Sequence, residues 1–369
     1  MKIFVTGTRG VPDIPGGVET HCEKLYPILI NMGHEVIIAR RSTYVRDKLN
    51  SWQGIKLVDI FTPRKKSTEA IIHTFLAIIK AKKTKSDILH IHAIGPSLMV
   101  PFARLLGLCV VVTHHGPDYE RQKWGWLAKQ VLKLSEYLGC KFANEVIVIS
   151  TVIENIVQTR CKRSSNLIYN GVTLPPKDIK SDYLESLNIK PGGYILAAAR
   201  FVPEKGLHDL IEAFRDTKSD YQLVIAGDAD HEDKYSTDLK EMAKSDSRIV
   251  LTGFITGNKL QQIFKHARLF ALPSYHEGLP IALLEALSYG LPVLVSDIAA
   301  NLEVNLEKER YFQCGNVADL THKLDLLTKK QLYPGEKEHI RDLLENSYNW
   351  EKIAHQTINV YLKATSIAK

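Results

Sequence analysis

The sequence lacks any uncharged apolar segment long enough to cross a bilayer. No run without Asp, Glu, Lys or Arg reaches the roughly 18 apolar residues that a spanning helix needs. The opening MKIFVTG has the pattern of a short strand followed by glycine, and no basic segment leads into a long apolar stretch, so we expect no signal peptide. These absences predict a cytoplasmic protein without a transmembrane helix.

Cysteine is scarce and scattered. The five cysteines are Cys22, Cys109, Cys140, Cys161 and Cys314. Their number is odd, and neither they nor the histidines form a cluster with the spacing of a metal site. This distribution excludes a disulfide-stapled fold and is typical of buried free thiols in a reducing compartment. The sequence therefore predicts neither a disulfide framework nor a bound metal.

The glycine-rich segment GTRGVPDIPGGVET lacks the fingerprint of a dinucleotide-binding loop. Gly7 and Gly10 do not fit G-x-G-x-x-G, and the segment is too long for that motif, which disfavours a nicotinamide cofactor. Gly16 and Gly17 precede a predicted helix, where a bare backbone lets an anion or a sugar approach closely. A plain flexible turn is the alternative interpretation.

Positive charge is concentrated in the first half of the chain. Residues 1–175 carry 24 Lys and Arg against 13 Asp and Glu, a net charge of +11, whereas residues 176–369 carry 24 against 28, a net charge of −4. We therefore expect the first half to meet an anionic surface. Nucleic acid is not the expected partner, because the basicity is diffuse and no aromatic platform or recognised binding module accompanies it.

Short buried strands alternate with amphipathic helices along the whole chain. The strand patterns of the first half are KIFVTG, HEVIIAR, DILHIHA, CVVVTHH and EVIVIS, and the alternation restarts after LPPKD with GYILAAAR, YQLVIAGD, RIVLTG, LFALPS and LPVLVSD. This pattern predicts an α/β fold of two doubly wound, Rossmann-like parallel sheets. We place the first domain at residues 1–174 and the second at residues 175–348. Ligands of such sheets bind at the carboxyl ends of the strands.

Two carboxylates interrupt the apolar segment HEGLPIALLEA. Pro280 disfavours a helical conformation at Leu279 and fits the first turn of a helix that begins around 279–281, so Glu277 lies in a strand-to-helix loop and Glu285 in the second turn. Within one helix the two would be about 12 Å apart along the axis, too far to share a proton. We expect separate contacts with one elongated ligand, whose phosphate lies at the helix start. A capping Glu277 and a solvated Glu285 are the structural alternative.

The loop ARFVPEKG places two cations after a buried strand. Arg200 offers a rigid fork of donors and Lys205 a mobile point charge, a combination that suits a diphosphate. Two cations near a helix N-terminus would neutralise a pyrophosphate leaving group. An exposed basic loop that pairs with Glu204 is the alternative.

The segment GDAD has the appearance of a metal-binding D-x-D pair. Asp228 and Asp230 follow the strand YQLVIA directly, so the segment also fits a turn. We favour the turn, because Arg200 and Lys205 would make a divalent ion redundant at a diphosphate.

Two histidines end the strand pattern CVVVTHH. His115, which follows His114, lies where ligands of a parallel sheet bind, so we favour a role for it in the ligand site. The alternative is a structural histidine. Asn170 and Gly171 in IYNGV are a second candidate, with a linker turn as the alternative.

The segment RQKWGWLAKQVLKLSEYLG predicts an amphipathic helix. Its apolar stripe consists of Trp124, Leu127, Val131, Leu134 and Leu138. The spacing of this stripe predicts that it packs on a core. Trp126, Lys129 and Lys133 fall on the opposite face, where an exposed tryptophan beside lysines is typical of a helix that contacts an anionic membrane. A solvated basic face is the alternative.

Taken together these stretches resemble the family 4 glycosyltransferases, retaining enzymes of the GT-B fold, over nearly the whole chain. The most specific match is PSYHEGLPIALLEALSYGLPVLVSD, and ARFVPEKG, VIVIS, IYNGV, VIAGD and NWEKIA follow the family's order. The segments TGTRGVPDIPGGVET and THHGPDYERQKWG further resemble members that assemble bacterial surface polysaccharides. Two departures are Leu279-Pro280 in place of the commoner Phe-Gly, and His114 before the matched histidine.

The resemblance implies roles for these residues. It implies that Glu285 binds the ribose hydroxyls and that Arg200 and Lys205 bind the diphosphate. It also implies that Glu277 binds the transferred sugar and that His115 lies near the sugar ring. The catalytic residues that it implies are Arg200, Lys205, Glu277 and His115. The remaining donor-binding positions that it implies are Gly16, Gly17, Asn170, Gly278, Leu279, Pro280 and Ile281.

The resemblance also implies the partners. A first domain binds the acceptor, a second binds the nucleotide sugar across a cleft, and a helix over about 349–369 packs back on the first domain. The donor that it implies is a UDP, GDP or dTDP sugar. The acceptor that it implies is a saccharide linked to polyprenyl diphosphate. Transfer needs no metal or other cofactor, and the protein is peripheral on the inner face of the cell membrane.

Two other functions fit the same architecture. A sugar-nucleotide epimerase would need no second substrate. A non-catalytic sugar-nucleotide sensor would bind the donor without turnover. Glu277, Arg200 and Lys205 together argue against the sensor, because a sensor has no need to hold a leaving group.

Overall fold

The computed structural model describes residues 1–14, 16–63, 68–120, 125–176, 178–229 and 232–367. The chain divides into two compact units. The first unit comprises Met1–Gly171 and Tyr348–Lys369, and the second comprises Val172–Ser347. The division after Gly171 lies close to the position at which the alternation of strands and helices restarts in the sequence.

The described part of the first unit contains eight strands in one sheet. They are β1 (Lys2–Thr6), β2 (Glu35–Arg41), β3 (Ser51–Trp52), β4 (Ile55–Ile60), β5 (Ile88–His92), β6 (Val110–His114), β7 (Glu145–Val148) and β8 (Asn166–Leu167). The order across the sheet is β3-β4-β2-β1-β5-β6-β7-β8, and the pairs are parallel except for the hairpin of β3 and β4. The carboxyl ends of β1, β5 and β6 therefore lie side by side at one edge.

Helices connect these strands. They are α1 (Gly17–Asn31), α2 (Glu69–Lys83), α3 (Val100–Leu105), α4 (Trp126–Phe142) and α5 (Thr151–Cys161). The central strands are apolar on both faces, as expected for a parallel sheet that helices cover. For example, Ile3, Phe4 and Val5 of β1 are fully buried.

The second unit has a parallel sheet of its own. Its strands are β9 (Tyr194–Ala198), β10 (Gln222–Ala226), β11 (Ile249–Gly253), β12 (Leu269–Leu272), β13 (Val293–Ser296) and β14 (Tyr311–Phe312). Their order is β11-β10-β9-β12-β13-β14. The helices are α6 (Asp182–Ser186), α7 (Leu207–Arg215), α8 (Lys234–Lys244), α9 (Gly257–Lys265), α10 (Ile281–Ser288), α11 (Ala299–Leu302), α12 (Val317–Leu327) and α13 (Pro334–Ser347). The predicted fold of two parallel-sheet α/β domains is confirmed.

The last helix, α14 (Trp350–Ile367), belongs to the first unit. Trp350, Ile353 and Val360, which show helical spacing in the sequence, are buried in the same core cluster as β1 and α1. Burial of each such side chain contributes about 1.5–3 kcal/mol. The helix α14 is thus part of the core of the first unit.

The helix α4 packs through a different face from the one that its apolar spacing predicts. Its buried residues are Ser135, Glu136, Gly139 and Cys140. Leu127, Val131 and Leu134 are exposed and Leu138 is half-buried, so the prediction that this stripe packs on a core is wrong. Trp124 lies outside the described residues. The small residues explain the choice of face: a Cβ on Gly139 would come within 2.4 Å of the Cβ of Ser97, so bulkier side chains would not fit there.

Candidate functional site

Two loops of the second unit meet at the carboxyl edge of its sheet. Because β9 and β12 pair in parallel, the loops that follow them leave the sheet side by side. Lys205, in the first loop, donates to Oε1 of Glu277, in the second, with an Nζ–Oε1 distance of 2.5 Å. Ser274 Oγ donates to the same oxygen at 2.7 Å. Both charged side chains are mostly buried, at 19% and 9% exposed.

A glycine allows the two loops to approach. Gly206 has φ +62°, and a Cβ on it would lie 2.1 Å from the carbonyl oxygen of Pro273. Gly206 also precedes α7 directly, so Lys205 lies next to the helix start. A side chain at this position would push the Lys205 loop away from the Glu277 loop.

Further hydrogen bonds fix the second loop against the first. The backbone N–H of Tyr275 donates to the carbonyl oxygen of Glu204 at 2.9 Å, and its hydroxyl donates to Oδ2 of Asp209 at 2.5 Å. Burial, and then the hydrogen bond to Asp209, raises the pKa of Tyr275. Sequence patterns did not reveal Tyr275 or Asp209, because their contribution depends on contacts between distant segments. Ser274, three residues before Glu277, was not assigned a role.

The helix α10 begins at Ile281, directly after Pro280, as predicted. Glu277 therefore lies in the loop and Glu285 in the second turn of the helix. The N-cap residue of α10 is Pro280, whose side chain makes no capping hydrogen bond. The first N–H groups of α10 have no acceptor within the helix. Burial, and then the negative charge of Glu285, raises the pKa of Tyr289 to about 12. A helix start of this kind attracts phosphate.

The predicted donor-binding positions 278–281, at the start of α10, are partly or fully buried. Leu279 and Pro280 are buried, whereas Gly278 and Ile281 are half-buried. A ligand at this corner would therefore reach the first two through the backbone and not through their side chains.

Arg200 lies half-buried in the loop after β9. The backbone of this loop is held in place by two hydrogen bonds, in which the N–H of Val202 donates to Arg200 O at 2.9 Å and the N–H of Phe201 donates to Asp228 O at 3.1 Å. The carboxylate of Asp228 pairs with Lys240 at 3.0 Å and accepts from the N–H of Ala229 at 2.8 Å. These contacts fit the predicted turn, and Asp230 lies outside the described residues. Among the residues that the structure describes, no group of three or more His, Cys, Asp or Glu side chains could hold a metal ion.

In the first unit, the glycine-rich loop is fastened to the helix that follows it. Glu19 of α1 accepts from the hydroxyl of Thr8 at 3.1 Å and from the N–H of Arg9 at 2.9 Å. Gly16 immediately precedes α1, and Gly17 is its first residue. Glu19 is buried, and its role was not predicted, although it stands two residues after the glycine pair.

His114 is held in a structural role at the end of β6. Its Nδ1 accepts from the N–H of Gly116 at 3.1 Å, so in the neutral ring the proton lies on Nε2, which is 2.9 Å from Oε1 of Glu136. The other oxygen of Glu136 pairs with Arg160 at 3.0 Å. This contact fixes the loop that carries His115 to the buried face of α4.

His115 lies among other histidines at the carboxyl edge of the sheet. Its Nε2 is 2.9 Å from Nδ1 of His92, and the ring of His21 lies edge-on to it with 5.2 Å between centroids. Burial, and then the charges of neighbouring histidines, lowers the pKa of His115 well below its ordinary value. The ring is therefore neutral at neutral pH, when it can hydrogen-bond to a hydroxyl group.

Asn170 is brought to the same cluster, but it is buried. Its Oδ1 accepts from Nδ1 of His21 at 3.0 Å. The ring of His21 also packs edge-on against Trp350 of α14, at 5.5 Å between centroids. Burial lowers the pKa of His21 to about 4. The predicted donor-binding residue Asn170 thus contacts His21, which sequence patterns did not single out.

The predicted membrane-contact residues lie on the first part of α4. Trp126 is 75% exposed, whereas Lys129 and Lys133 are half-buried. The Nζ of Lys133 lies 5.6 Å from the centre of the Tyr119 ring. None of the described helices is long and apolar enough to span a membrane.

Two family models match this sequence. The model described as Glycosyltransferase Family 4 matches residues 15–174, and the model described as Glycosyl transferases group 1 matches residues 180–350. The two matches together cover most of the chain and correspond to its two units.

Known proteins show the same similarity over long alignments. An uncharacterized glycosyltransferase of Methanocaldococcus jannaschii is 27% identical, with 98% of each chain covered. The UDP-Gal:alpha-D-GlcNAc-diphosphoundecaprenol alpha-1,3-galactosyltransferase of Escherichia coli is 28% identical, with 76% of each chain covered. The crystal structure of Anabaena HepE in complex with UDP-glucose superposes with a TM-score of 0.78 at 16% identity, covering 97% of this chain and 98% of that one.

Proposed function

We propose that this chain, which belongs to the family 4 glycosyltransferases and has their GT-B fold, moves a sugar from a nucleoside diphosphate sugar to a hydroxyl of a saccharide acceptor. The transfer retains the configuration at the anomeric carbon. The observation that carries this proposal is the contact of Lys205 with Glu277 beside the uncapped start of α10. A cation, a carboxylate and a row of free N–H groups are what a sugar diphosphate requires.

The cations and the helix start serve the leaving group. Cleavage of the anomeric C–O bond leaves negative charge on the departing diphosphate and positive character on the sugar. Lys205, Arg200 and the first N–H groups of α10 stabilise that negative charge where it develops, so they favour the transition state over the ground state. In this mechanism no divalent ion is required.

Two carboxylates hold the two ends of the donor. Glu285 binds the ribose hydroxyls, and Glu277, fixed by Ser274 and Lys205, binds the transferred sugar. The backbone of residues 278–281 contributes further contacts. Gly16, Gly17 and Asn170 are further donor-binding residues that the family resemblance assigns. His115 contacts the sugar ring as a neutral hydrogen-bonding group. The acceptor hydroxyl attacks from the face that the diphosphate leaves, which preserves the configuration.

The acceptor that we propose is a polyprenyl-diphosphate-linked saccharide in the assembly of a bacterial surface polysaccharide. This proposal draws support from the Escherichia coli relative, whose name specifies a diphosphoundecaprenol-linked substrate. The first unit, which carries the excess of positive charge, binds the acceptor. The second unit binds the nucleotide sugar.

The exposed face of α4 is the proposed site of contact with the inner face of the cell membrane. Trp126 and Leu127 are 75% and 70% exposed, and Leu105 of the neighbouring α3 is 85% exposed. Lys129 and Lys133 lie on the same helix and supply positive charge. An anionic lipid surface accommodates both the apolar face and the lysines, and it is where a lipid-linked acceptor would be found.

A donor screen tests the proposed reaction. We expect one of the UDP, GDP or dTDP sugars to raise the melting temperature, with UDP sugars tested first because HepE binds UDP-glucose. We expect release of the nucleoside diphosphate only when a lipid-linked saccharide is added. Interconversion of the sugar without acceptor would instead show an epimerase, and binding without turnover under all conditions would show a sensor.

A further inference from the structure

A continuous chain of hydrogen bonds runs from His115 through the interior of the first unit to α14. His115 Nε2 is 2.9 Å from His92 Nδ1, and His92 Nε2 is 2.7 Å from the hydroxyl of Tyr26 on α1. That hydroxyl is also 2.9 Å from Nδ1 of His90, which is 2.7 Å from the hydroxyl of Tyr361 on α14. Four separate elements of the fold therefore contribute to one chain that ends at a candidate catalytic residue.

The members of this chain behind His115 are buried and neutral at neutral pH. Burial lowers the pKa of His90 to about 3 and lowers the pKa of His92 well below its ordinary value. Burial likewise raises the pKa of Tyr26 and of Tyr361. Each histidine ring consequently has one N–H donor and one bare nitrogen acceptor, and each hydroxyl has one proton to donate.

The planes of the rings are also fixed by stacking. The rings of His90 and His92 stack with 4.1 Å between centroids and 30° between planes. The rings of His92 and His115 stack at 5.2 Å, again with 30° between planes. Rotation of His92 would break this stacking and both of its hydrogen bonds, so its two nitrogens keep their partners.

This arrangement links the tautomers of neighbouring residues. If the Tyr26 hydroxyl donates to Nε2 of His92, the His92 proton must lie on Nδ1, and His115 must accept through Nε2 and carry its own proton on Nδ1. If Tyr26 instead donates to Nδ1 of His90, the donor and acceptor nitrogens of His92 and of His115 exchange, and Nδ1 of His115 becomes the acceptor. Among the described contacts of His115, Nε2 is engaged by His92, which leaves Nδ1 for a ligand.

We propose that His92 is a positioning residue that fixes the tautomer and the plane of the His115 ring. The inference rests on the proposed function only in assigning His115 to the sugar. Its consequence is that the hydrogen-bonding character of His115 toward a sugar hydroxyl is set from inside the first unit, by the group that contacts Nε2 of His115.

Two substitutions separate the two nitrogens of His92. The amide of asparagine can occupy the place of Nδ1 and keep the contact with His115, whereas the longer glutamine side chain reaches the place of Nε2 and keeps only the contact with Tyr26. His92→Asn and His92→Gln therefore test which contact matters. His73, a buried histidine of α2 outside this chain, provides the control His73→Gln.

The first readout is the ¹⁵N NMR spectrum of the histidine rings in the full-length protein labelled with [¹⁵N]histidine. His115 is assigned from the signal that disappears in His115→Gln. We expect one protonated and one bare ring nitrogen for His115 in the wild type, in His92→Asn and in His73→Gln. In His92→Gln we expect averaged shifts, because nothing then selects a tautomer. A fixed tautomer in His92→Gln, or averaging in the wild type, overturns the inference.

The second readout is steady-state kinetics with the donor that the screen identifies. We expect kcat to fall by about tenfold or more in His92→Gln with KM within about twofold, as for loss of a residue that orients a catalytic group. His92→Asn should recover most of kcat. Equal losses in both variants, with circular dichroism showing intact folds, would contradict a positioning role.

The two readouts keep this inference distinct from the proposed function. The NMR spectrum needs no substrate, so it decides on His92 even if no donor is turned over. Conversely, a fixed His115 tautomer together with no transferase activity on any donor would count against the proposed function alone.

Discussion

Lys205 Nζ lies 2.5 Å from Oε1 of Glu277, although 72 positions separate the two residues in the sequence. The contact arises because β9 and β12 are neighbours in the parallel sheet of the second unit. It places a mobile cation and a carboxylate at one corner, where the start of α10 is uncapped. The first prediction concerns the two cations of this site, Arg200 and Lys205.

Removal of either proposed phosphate-binding cation should abolish most turnover. We expect Arg200→Ala and Lys205→Ala each to lower kcat by about 10²–10³-fold, because each removes charge that stabilises the departing diphosphate. Initial rates with the identified donor and acceptor check this expectation.

The matched control is Lys240→Ala, because Lys240 is also a lysine of the second unit paired with a carboxylate, Asp228. We expect this variant to retain the wild-type rate within about twofold, since loss of a surface ion pair has little effect. Near-normal rates in both Arg200→Ala and Lys205→Ala would refute the role of these cations in the leaving group.

The second prediction concerns the glycine that lets the two loops meet. In Gly206→Ala the new Cβ would collide with the carbonyl oxygen of Pro273, in addition to the strain of φ +62°. Gly290 has a similar φ, +69°, but a Cβ there would meet no atom within 4 Å. We expect Gly290→Ala to cost about 1 kcal/mol of unfolding free energy and Gly206→Ala about 1–3 kcal/mol more.

Urea unfolding followed by circular dichroism measures this difference, because all four tryptophans fall in the first unit and their fluorescence would not report on the second. Gly206→Ala should also weaken donor binding, since it separates Lys205 from Glu277. Equal midpoints for the two variants would mean that the loop adapts to a side chain without loss.

Much of this site could be predicted from the sequence. The strands are visible because a parallel sheet buries both of its faces, which leaves continuous apolar runs. Pro280 fixes the start of α10, so the positions of Glu277 and Glu285 relative to that helix are local properties. The roles that the family resemblance assigns to them are still predictions.

Other features depend on contacts that no local pattern encodes. Glu19, Tyr275 and His92 make contacts with segments that lie further away in the chain, so spacing gives no signal for them. For the helix α4 the sequence does show a clear pattern, but the pattern leads to a wrong prediction, because the apolar stripe lies on the exposed face. Its buried face carries Glu136, whose charge is compensated by a hydrogen bond with His114 and by the ion pair with Arg160.

The third prediction is that the first unit loses stability in mild acid. Burial lowers the pKa of His21 to about 4, and burial, followed by the charge of Arg41, lowers the pKa of His73 to about 3. In the unfolded chain each titrates near 6.5. Their stabilising contribution is therefore complete above pH 6.5 and is lost as the pH falls toward 4, because only the unfolded state takes up the protons. Each histidine contributes a slope of up to about 1.4 kcal/mol per pH unit.

Tryptophan fluorescence during urea unfolding measures this effect, because it reports on the first unit. We expect the midpoint to fall steadily between pH 7 and pH 5. In His73→Gln the unfolding free energy should depend less steeply on pH, by up to about 1.4 kcal/mol per pH unit, because one proton fewer is taken up on unfolding. This holds whatever the stability of the variant at pH 7. A midpoint independent of pH over this range would show that these histidines are protonated in the folded protein.

The last prediction separates the apolar and the electrostatic parts of the proposed membrane contact. Leu127 and Leu134 are exposed on α4, and half-burial of each in lipid would contribute about 1 kcal/mol. We expect the double variant Leu127→Ser, Leu134→Ser to bind vesicles containing phosphatidylglycerol at least about tenfold more weakly at every salt concentration. Lys129→Glu should weaken binding mainly at low salt, because added salt screens the attraction between its charge and the lipid.

Phe254→Ser combined with Leu302→Ser is the control, since both side chains are exposed apolar residues of the second unit. We expect this control to sediment with vesicles like the wild type. If the α4 double variant also binds like the wild type, the exposed face of α4 does not contact the lipid. If the control alone loses binding, the membrane contact lies on the second unit, contrary to the distribution of charge in the sequence.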